Sequence, residues 1–400
     1  MKNILFVYDR MMMGGTTTAL LSLLKSIDYS EYSVDLLLFK NTGPFLEDIP
    51  KEVNLLDEAY KPIFKGIFSP KLQKAFLSIF DGSAFSALRA FFKYRTTNKG
   101  NLPMILFHFF GSTQVKISRR LFKEYDAAVS FIEGWSNHFV LSDKVRAKHK
   151  SCCTHPDYIN SYLIPEADKK AFKKANNLLV VSENCKKNMC AVFPEYADKV
   201  AVLENICSAA YVKERAKNGS EQLIKHSLDM CTVCRCDSYV KGLDRMVEAL
   251  GRLKSEGILG DAHWHLIGDG DDFESVKMSI CEKGLSDNVT MYGQKQNPLA
   301  LLSQMDLFVL TSRYEGKPVS VMEALALGIP CLVTAYASSA EQISHGVNGF
   351  ITENSGEGVY LALKQIIEDA EQLKTYKKEL SYNNYDNSTE IKKLYDLWND

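Results

Sequence analysis

Short apolar runs alternate with amphipathic segments along most of the chain. Runs of a few residues that are hydrophobic throughout are typical of strands buried on both faces of a parallel sheet, and the segments between them show helical spacing. The runs that we interpret as strands are Asn3–Tyr8, Val34–Phe39, Asp126–Phe131, Ala175–Ser182, Val200–Leu203, Met230–Cys234, His263–Ile267, Val289–Gln294, Leu307–Leu310 and Cys331–Val333. This pattern predicts an α/β fold with doubly wound parallel sheets. A length of 400 residues predicts two domains.

The clearest β-α-β unit lies between residues 307 and 333. The strand Leu307–Leu310 is followed by a loop with Gly316 and Pro318, and Pro318 suits the first turn of a helix. Gly328 caps that helix, and the next strand begins at Cys331. Because ligands bind at the carboxyl ends of strands in open α/β sheets, we expect the amides of Gly316 to Val319 to meet a phosphate or a sugar hydroxyl.

Charged residues frame this loop and the loop after an earlier strand. Glu315 precedes the helix, and Glu323 lies inside its apolar body, where an acid is costly unless it meets a partner such as a ligand hydroxyl. Arg235 and Lys241 follow the strand Met230–Cys234, and two cations at such a position suit a diphosphate.

Two loops of the amino-terminal half carry further candidates. Gly14 and Gly15 separate the first strand from a helix predicted over Ala19–Ile27, but they lack the spacing of a dinucleotide-binding fingerprint. A short β-type run ends at His155-Pro156-Asp157. Upstream of it, Glu133 and Trp135 could bind a sugar by hydrogen bonding and ring stacking.

Composition excludes several classes of function. A net charge of −1 disfavours a nucleic-acid partner, and no apolar run is long enough to span a bilayer. The amino terminus has the pattern of a strand and not of a signal peptide, so we expect a cytoplasmic protein with reduced cysteines. Cys231, Cys234 and Cys236 lie in a strand-like segment, where alternate residues point to opposite faces, so we expect buried thiols there and not a zinc site.

The stretch from Tyr60 to Tyr125 differs from the rest. It is rich in lysine, arginine and phenylalanine, while its acids are Asp81 and Glu124. One interpretation is a set of interfacial helices that attach to an anionic membrane surface. The other is a set of helices that pack phenylalanine inward and keep lysine in water.

Glu315 and Glu323 with their glycine, alanine and proline context resemble the Glu-x7-Glu signature of the retaining GT-B glycosyltransferases of family 4, of bacterial polysaccharide-biosynthesis type. The Gly14-Gly15 loop, the His155 region, the Arg235 and Lys241 pair and a Gly-Asp-Gly turn at residues 268–270 are similar to other parts of that family. Family members usually show Gly-Arg-Leu where this chain has Cys234-Arg235-Cys236. The resemblance is strongest from Met230 to Thr334.

The resemblance implies two Rossmann-like domains that face each other across a cleft. The first comprises residues 1–205, completed by a carboxyl-terminal helix over 386–400, and the second comprises residues 206–385. It implies catalytic roles for Arg235, Lys241, Glu315 and His155. It implies donor binding by Gly14, Gly15, Tyr292, Gly316, Lys317, Pro318, Val319 and Glu323. Glu133, Trp135 and Asp157 are expected on the acceptor side.

The expected reaction is retaining transfer of a hexose or N-acetylhexosamine from a nucleotide sugar, a UDP-sugar by preference, to a saccharide acceptor carried on a lipid. No metal or other cofactor is expected. Asp269 and Asp271 formally match a metal-binding Asp-x-Asp, but the family's turn at this place is metal-independent. The chain is expected in the cytoplasm, with peripheral attachment at the inner face of the plasma membrane. Two alternatives stay open, a GT-B nucleotide-sugar epimerase and a non-catalytic nucleotide-sugar-binding subunit.

Overall fold

The computed structural model describes residues 1–59, 83–94, 102–219 and 222–399. The chain divides into two compact units. Unit 1 comprises Met1–Asn205 and Glu390–Asp400, and unit 2 comprises Ile206–Thr389. The segment Tyr60 to Gly82, which holds part of the basic aromatic stretch, lies outside the described residues. None of the described helices combines the length and the apolar composition that crossing a bilayer requires.

Unit 1 is built on a seven-stranded sheet in the order β3-β2-β1-β4-β5-β6-β7, and every pairing in it is parallel. Its strands are β1 (Lys2–Tyr8), β2 (Tyr32–Leu38), β3 (Asn54–Leu55), β4 (Glu124–Ser130), β5 (Arg146–Thr154), β6 (Asn177–Val180) and β7 (Val200–Val202). Its first helices are α1 (Gly15–Lys25), α2 (Ser83–Tyr94), α3 (Leu102–Lys116), α4 (Trp135–Val140), α5 (Pro165–Phe172) and α6 (Glu183–Val192). The order reverses between β1 and β4, which creates a crevice at their carboxyl ends.

Unit 2 has a six-stranded parallel sheet in the order β10-β9-β8-β11-β12-β13. Its strands are β8 (Asp229–Val233), β9 (His263–Ile267), β10 (Val289–Gly293), β11 (Leu307–Leu310), β12 (Cys331–Thr334) and β13 (Gly349–Thr352). Its helices are α7 (Ala209–Lys217), α8 (Ser238–Lys241), α9 (Leu243–Ser255), α10 (Phe273–Glu282), α11 (Pro298–Leu302), α12 (Val319–Ala326), α13 (Gly356–Glu368) and α14 (Glu371–Tyr382). Here the order reverses between β8 and β11.

Hydrophobic burial holds each sheet between layers of helices. In unit 2, α9 and α13 place Leu250, Leu253 and Leu363 in one cluster of buried residues with Trp264 of β9. The other face of the sheet packs against α12, whose Val321 and Ala324 are fully buried. Strands that are apolar throughout are thus covered on both faces, as the sequence pattern predicts.

The last helix of the chain, α15 (Ile391–Leu397), belongs to unit 1. Trp398 follows it and is 2% exposed, with its ring 6.3 Å from that of Phe6 and 5.7 Å from that of Tyr32. Tyr395 stacks on Tyr32 at 4.4 Å. The end of the chain therefore completes the core that the first two strands begin.

Candidate functional site

The loops after β8 and β11 are fastened to each other at the reversal of strand order in unit 2. Gly242 has φ 63°, and a Cβ atom on it would lie 2.1 Å from the carbonyl oxygen of Thr311. The Thr311 hydroxyl donates to the carbonyl oxygens of Gly242 at 2.8 Å and Lys241 at 3.1 Å. Because any larger residue at position 242 would push the two loops apart, glycine is required there.

Lys241 and Glu315 form an ion pair at this junction. The Lys241 Nζ lies 2.7 Å from Glu315 Oε1, and the Ser312 hydroxyl donates to the same oxygen at 2.7 Å. The two side chains are only 19% and 11% exposed. Burial alone would lower the pKa of Lys241, but the Glu315 carboxylate outweighs it and raises that pKa. The structure thus brings together Lys241 and Glu315, which the sequence analysis proposed as candidate residues in separate segments of the chain.

Arg235 lies in the loop between β8 and α8, the short helix that ends at Lys241, and it is far more exposed than Lys241. Its side chain is 73% exposed, and its Nη2 lies 3.4 Å from Asp237 Oδ2. Asp237 also accepts a hydrogen bond from the Val240 amide and so caps α8. A guanidinium held loosely at the loop surface can reach an anion without first breaking a buried pair.

Arg313 is a residue of this region that the sequence reasoning missed. Its guanidinium makes a two-fold contact with Asp244, with distances of 2.9 and 2.6 Å, and it donates to the Tyr239 carbonyl oxygen at 2.7 Å. Its backbone amide donates to Val240. Arg313 therefore holds the loop of Glu315 against α8. Its position two residues before Glu315 was the available signal.

Glu323 lies in α12 and is only 7% exposed. No hydrogen bond or ion pair to its carboxyl group occurs among the residues that the structure describes. Burial raises its pKa to about 7, and the charge of Arg215 opposes that rise. A buried acid without a hydrogen-bond partner is costly, so a hydrogen bond from a ligand hydroxyl would stabilise this carboxyl group.

The helix that carries Glu323 begins one residue later than predicted, with Pro318 as its N-cap and no side chain capping it. The Gln342 amide donates to the Pro318 carbonyl oxygen at 3.1 Å. Gly316, Lys317, Pro318 and Val319 are all buried. That their amides bind a ligand stays a prediction.

The turn at Gly268 to Asp272 supports the loop that carries Arg235. A Cβ atom on Gly268 would lie 1.8 Å from the Cys234 carbonyl oxygen, and the Cys236 amide donates to Asp269 at 3.0 Å. Asp269 and Asp271 are both exposed. Among the described residues, they do not form a group of three potential metal ligands. The thiols of Cys231 and Cys236 are buried, and Cys234 is half-buried.

Tyr292 is placed in a polar cluster that the sequence reasoning missed. Its hydroxyl lies 3.0 Å from His265 Nδ1, and His265 Nε2 lies 3.0 Å from Asp229 Oδ1. His226 and His263 complete this group, which we call the histidine cluster. The alternation of His263 and His265 on one strand was the available signal. That Tyr292 borders a nucleotide base stays a prediction.

His155 follows β5 in unit 1, beside the reversal of strand order. Its ring meets that of Phe131 edge-on at 5.0 Å, and its buried Nδ1 has no partner in the described part of the chain. Burial lowers the pKa of His155 to about 4, so the imidazole is neutral at pH 7. A neutral imidazole with an unused nitrogen can accept or donate one hydrogen bond to a ligand.

Gly14 and Gly15 stand at the start of α1, on the neighbouring loop. Gly14 is the N-cap of α1, and a Cβ atom placed on it would meet nothing within 4 Å. A ligand therefore has room to approach the backbone at Gly14. The Tyr8 hydroxyl, 3.0 Å from the Thr17 hydroxyl, holds the first turn of α1 to the end of β1.

The predicted stacking role of Trp135 is wrong. Trp135 is 5% exposed, and its ring packs against Phe39 at 4.9 Å and Phe139 at 5.6 Å. Its indole belongs to the core of unit 1, because every residue of α4 is buried. A ring enclosed by two phenylalanines offers no face to a sugar.

Asp157 and Glu133 differ in their burial and in the hydrogen bonds that their carboxylates accept. Asp157 is 3% exposed and accepts hydrogen bonds from Ile159, Asn160 and Asn188 at 2.7 to 3.0 Å. Its carboxylate thus organises its own loop. Glu133 is half-buried and accepts a hydrogen bond from the Tyr162 hydroxyl at 3.1 Å. Acceptor contact by either residue stays a prediction.

Comparison with known proteins identifies the domain that carries Lys241, Glu315 and Glu323. A family model described as glycosyl transferases group 1 matches residues 216–385. N-acetyl-alpha-D-glucosaminyl L-malate synthase of Bacillus anthracis is 31% identical over 160 residues, which are 40% of this chain and 39% of that protein. Lipopolysaccharide 1,6-galactosyltransferase of Salmonella typhimurium is 29% identical over 220 residues, 53% of this chain and 52% of that protein. The chain thus spans about half the length of these relatives or less.

Solved structures match over the whole chain at low sequence identity. The Anabaena protein Alr3699/HepE, crystallised with UDP and glucose, has a TM-score of 0.70 at 16% identity, with 100% of both chains covered. TarM of S. aureus, solved with Fondaparinux, alpha-GlcNAc-glycerol and UDP, has a TM-score of 0.69 at 13% identity, again with 100% of both chains covered. These likenesses show that the chain has the GT-B fold. At the level of sequence, residues 216–385 of the chain resemble the glycosyl transferases group 1.

Proposed function

We propose that this chain is a glycosyltransferase that moves a hexose or N-acetylhexosamine from a UDP-sugar to a saccharide acceptor with retention of configuration. The observation that carries the proposal is the buried Lys241–Glu315 pair, in the same unit as the unpartnered acid Glu323. The relatives from Bacillus and Salmonella are named as a glucosaminyl-malate synthase and a galactosyltransferase. The Anabaena structure contains UDP and glucose, which supports UDP as the nucleotide.

In the proposed reaction, each group of unit 2 has one task. Glu323 accepts hydrogen bonds from the ribose hydroxyls, and Glu315 orients hydroxyls of the sugar. Lys241 and Arg235 hold the diphosphate, where charge develops as the sugar leaves. The bond from the sugar's anomeric carbon to the phosphate oxygen breaks and the bond to the acceptor oxygen forms on the same face. The acceptor's proton passes to the departing phosphate, so no side-chain base is required, and direct attack on the same face requires no side-chain nucleophile.

His155 acts on the acceptor side in this proposal. Its neutral ring and unused Nδ1 suit a hydrogen bond to a sugar hydroxyl in transfer. No metal ion is required, because Lys241 and Arg235 supply the positive charge that a metal would otherwise bring to the diphosphate. A chelator should therefore leave the initial rate unchanged at temperatures well below unfolding. A strict requirement for manganese would contradict this part of the proposal.

The test of the whole proposal measures UDP release and saccharide product with a panel of UDP-sugars, each with and without a saccharide acceptor. We expect product that depends on acceptor, with slow donor hydrolysis in its absence. An epimerase would convert the donor without any acceptor, and a non-catalytic subunit would bind donor without hydrolysis. Glu323→Gln is the matched variant, since it keeps the shape of the side chain and removes the charge.

We further propose that the acceptor is lipid-linked and that α2 attaches unit 1 to an anionic membrane surface. This helix turns Ala87 and Ala90 inward and leaves Phe85, Leu88 and Phe92 68%, 48% and 60% exposed. The phenylalanines at 85 and 92 therefore do not pack inward. Arg89 is also exposed on this helix, where it would attract anionic lipid, whereas Lys93 is paired with Glu166.

Co-sedimentation with anionic liposomes at low salt tests the membrane proposal. Phe85→Gln and Phe92→Gln together should reduce the bound fraction several-fold, because both rings are exposed and their loss removes apolar contact with lipid. Phe122→Gln is the matched control, since Phe122 is a 79% exposed phenylalanine of the same unit. Equal binding of all variants, or no binding by the wild type, would overturn the membrane proposal without affecting the transfer proposal.

A further inference from the structure

The histidine cluster lies on one face of the sheet in unit 2. His263 and His265 are two residues apart on β9, so their side chains share a face. Asp229 opens the neighbouring β8 and stands in register with His263. His226 reaches the same face from the loop that leads into β8. Asp229 is the first residue of β8 and Lys241 follows the other end of that strand, so roughly 13 Å of strand lies between them.

Two imidazole nitrogens converge on a single carboxylate oxygen in this cluster. His226 Nδ1 lies 2.8 Å and His265 Nε2 lies 3.0 Å from Asp229 Oδ1. The potential ligand atoms of these three residues all lie within 4.8 Å of one another. Among the described residues, this is the only group of three histidine, cysteine or acidic side chains whose potential ligand atoms lie so close together.

The outer contacts of the cluster fix the orientation of its rings. His265 Nδ1 lies 3.0 Å from the Tyr292 hydroxyl, and His263 Nε2 lies 2.8 Å from the Thr290 hydroxyl. Histidines that bind metal usually anchor their second nitrogen in this way. His263 Nδ1 is buried with no hydrogen-bond partner in the described part of the chain, and His263 is only 7% exposed.

We propose that His226, Asp229 and His265 bind one divalent transition-metal ion, with zinc preferred. Two imidazoles and one carboxylate form a ligand set typical of zinc sites that keep a fourth position for water. A tetrahedral zinc with bonds of 2.0–2.1 Å separates its ligand atoms by roughly 3.3 Å. The two distances from nitrogen to carboxylate oxygen, 2.8 and 3.0 Å, therefore need to widen by only a few tenths of an ångström, and the two nitrogens, which lie within 4.8 Å of each other, must adopt the same spacing.

The surroundings provide both a route for the ion and room for its water. The His226 side chain is 20% exposed and belongs to a loop, whereas Asp229 and His265 are 0% and 2% exposed. A cavity of about 460 Å³ is lined by His226, His263, His265 and Tyr292 among others. We assign the ion a structural role, in which it ties the loop before β8 to the sheet.

One neighbouring charge opposes the ion. Lys225 Nζ lies 3.2 Å from Asp229 Oδ2, and the Lys225 side chain is 55% exposed. It can turn into solvent when a cation arrives. Removal of this ammonium group should therefore strengthen metal binding, an effect that a network of hydrogen bonds alone would not produce.

Zinc titration of the full chain by calorimetry, with cobalt absorption spectra in parallel, tests the proposal. The measurement uses the Cys281→Ser background, because Cys281 is an exposed thiol that would bind metal itself. We expect one ion per chain, a cobalt spectrum without a sulfur charge-transfer band, and a rise in the melting temperature on binding. His226→Ala should weaken binding about 10-fold or more, since it removes a ligand from a partly exposed position.

Two further variants sharpen the test. Lys225→Met should strengthen binding several-fold. His345→Ala removes an exposed histidine of the same unit and should leave affinity unchanged. No zinc binding by the parent chain would overturn the proposal, as would equal affinity in the parent and His226→Ala. Since this site lies apart from Lys241 and Glu315, its failure would leave the proposed transfer reaction untouched.

Discussion

At the scale of single residues, the chemistry of the candidate site rests on how each charge is compensated. Lys241 and Glu315 compensate each other at 2.7 Å, whereas Glu323 has no such partner among the described residues and its pKa is raised to about 7. Arg235 remains largely in solvent. The first pair is therefore preorganised, the single acid awaits a ligand, and the exposed cation can move towards one.

The raised pKa of Glu323 predicts a pH-dependent stability. The folded state favours the protonated acid, so this stabilisation is complete below the ordinary pKa of 4.5 and is lost as pH rises through about 7. Between pH 5 and pH 8 the loss amounts to about 2 to 3 kcal/mol. Urea unfolding at pH 5 and pH 8 measures this effect. Between these pH values, the free energy of unfolding should fall by about 2 to 3 kcal/mol more for the wild type than for Glu323→Gln. Parallel pH profiles for both proteins would refute the prediction.

Arg235 and Glu323 should separate in kinetics. Arg235→Ala should lower kcat about 100-fold or more with a smaller effect on donor affinity, because its charge interacts most strongly with the phosphate as it leaves. Glu323→Ala should instead weaken donor binding about 10-fold or more, since it removes the hydrogen bonds between the ribose hydroxyls and the buried carboxyl group. Steady-state rates and calorimetric donor titration measure the two effects. Wild-type values for both variants would contradict the assigned roles.

At the scale of elements, close backbone approach decides which residues are tolerated. Gly242 combines a φ of 63° with a Thr311 oxygen 2.1 Å from where its Cβ would lie. Gly284 has a φ of 65° but nothing within 4 Å of that position. The two glycines share backbone strain and differ only in neighbours.

Gly242→Ala and Gly284→Ala are therefore a matched pair. Gly284→Ala should cost about 1 kcal/mol of unfolding free energy through φ alone. Gly242→Ala should cost about 1 to 3 kcal/mol more, since the loops of Lys241 and Glu315 must move apart. It should also weaken donor binding, whereas Gly284→Ala should not. Equal costs in denaturant unfolding would show that the junction accommodates a methyl group.

Much of the fold follows from the sequence because buried parallel strands are apolar throughout. The strand over Leu307–Leu310 is found with its predicted bounds, and the group 1 glycosyltransferase resemblance is confirmed over residues 216–385. The first helix was misplaced, since it begins at Gly15 and not at Ala19. The run of polar β-branched threonines at 16–18 resembles a loop locally, yet it forms the first turn of α1 against Tyr8.

The candidate site was less predictable, because local pattern gives residue type but not direction. Trp135 was assigned to a sugar, and its ring lies between Phe39 and Phe139. The pairing of Lys241 with Glu315 joins residues 74 positions apart, and that of Asp229 with His265 joins residues 36 positions apart. Such contacts are set by sheet order and register, which no single stretch of sequence contains.

At the scale of the whole molecule, unit 1 is built from both ends of the chain. Trp398 fills the core of unit 1 beside Phe6 and Tyr32 at 2% exposure. Trp398→Ala should lower the stability of unit 1 by about 3 to 5 kcal/mol through the cavity that it leaves. Calorimetry should show an earlier first transition. Calorimetric UDP binding, assigned here to unit 2, should persist, and its complete loss would show that the units depend on each other.

The chain leaves unit 1 at Asn205 and returns to it at Glu390. During synthesis, the segment that carries Trp398 emerges from the ribosome only after all of unit 2 has been made. Phe6 and Tyr32 of the first sheet therefore stay exposed until synthesis of the chain is nearly complete. Chaperones that bind apolar surface can bind this part of unit 1 during that time. Premature termination anywhere in the second half would yield a truncated product that exposes this patch and invites degradation.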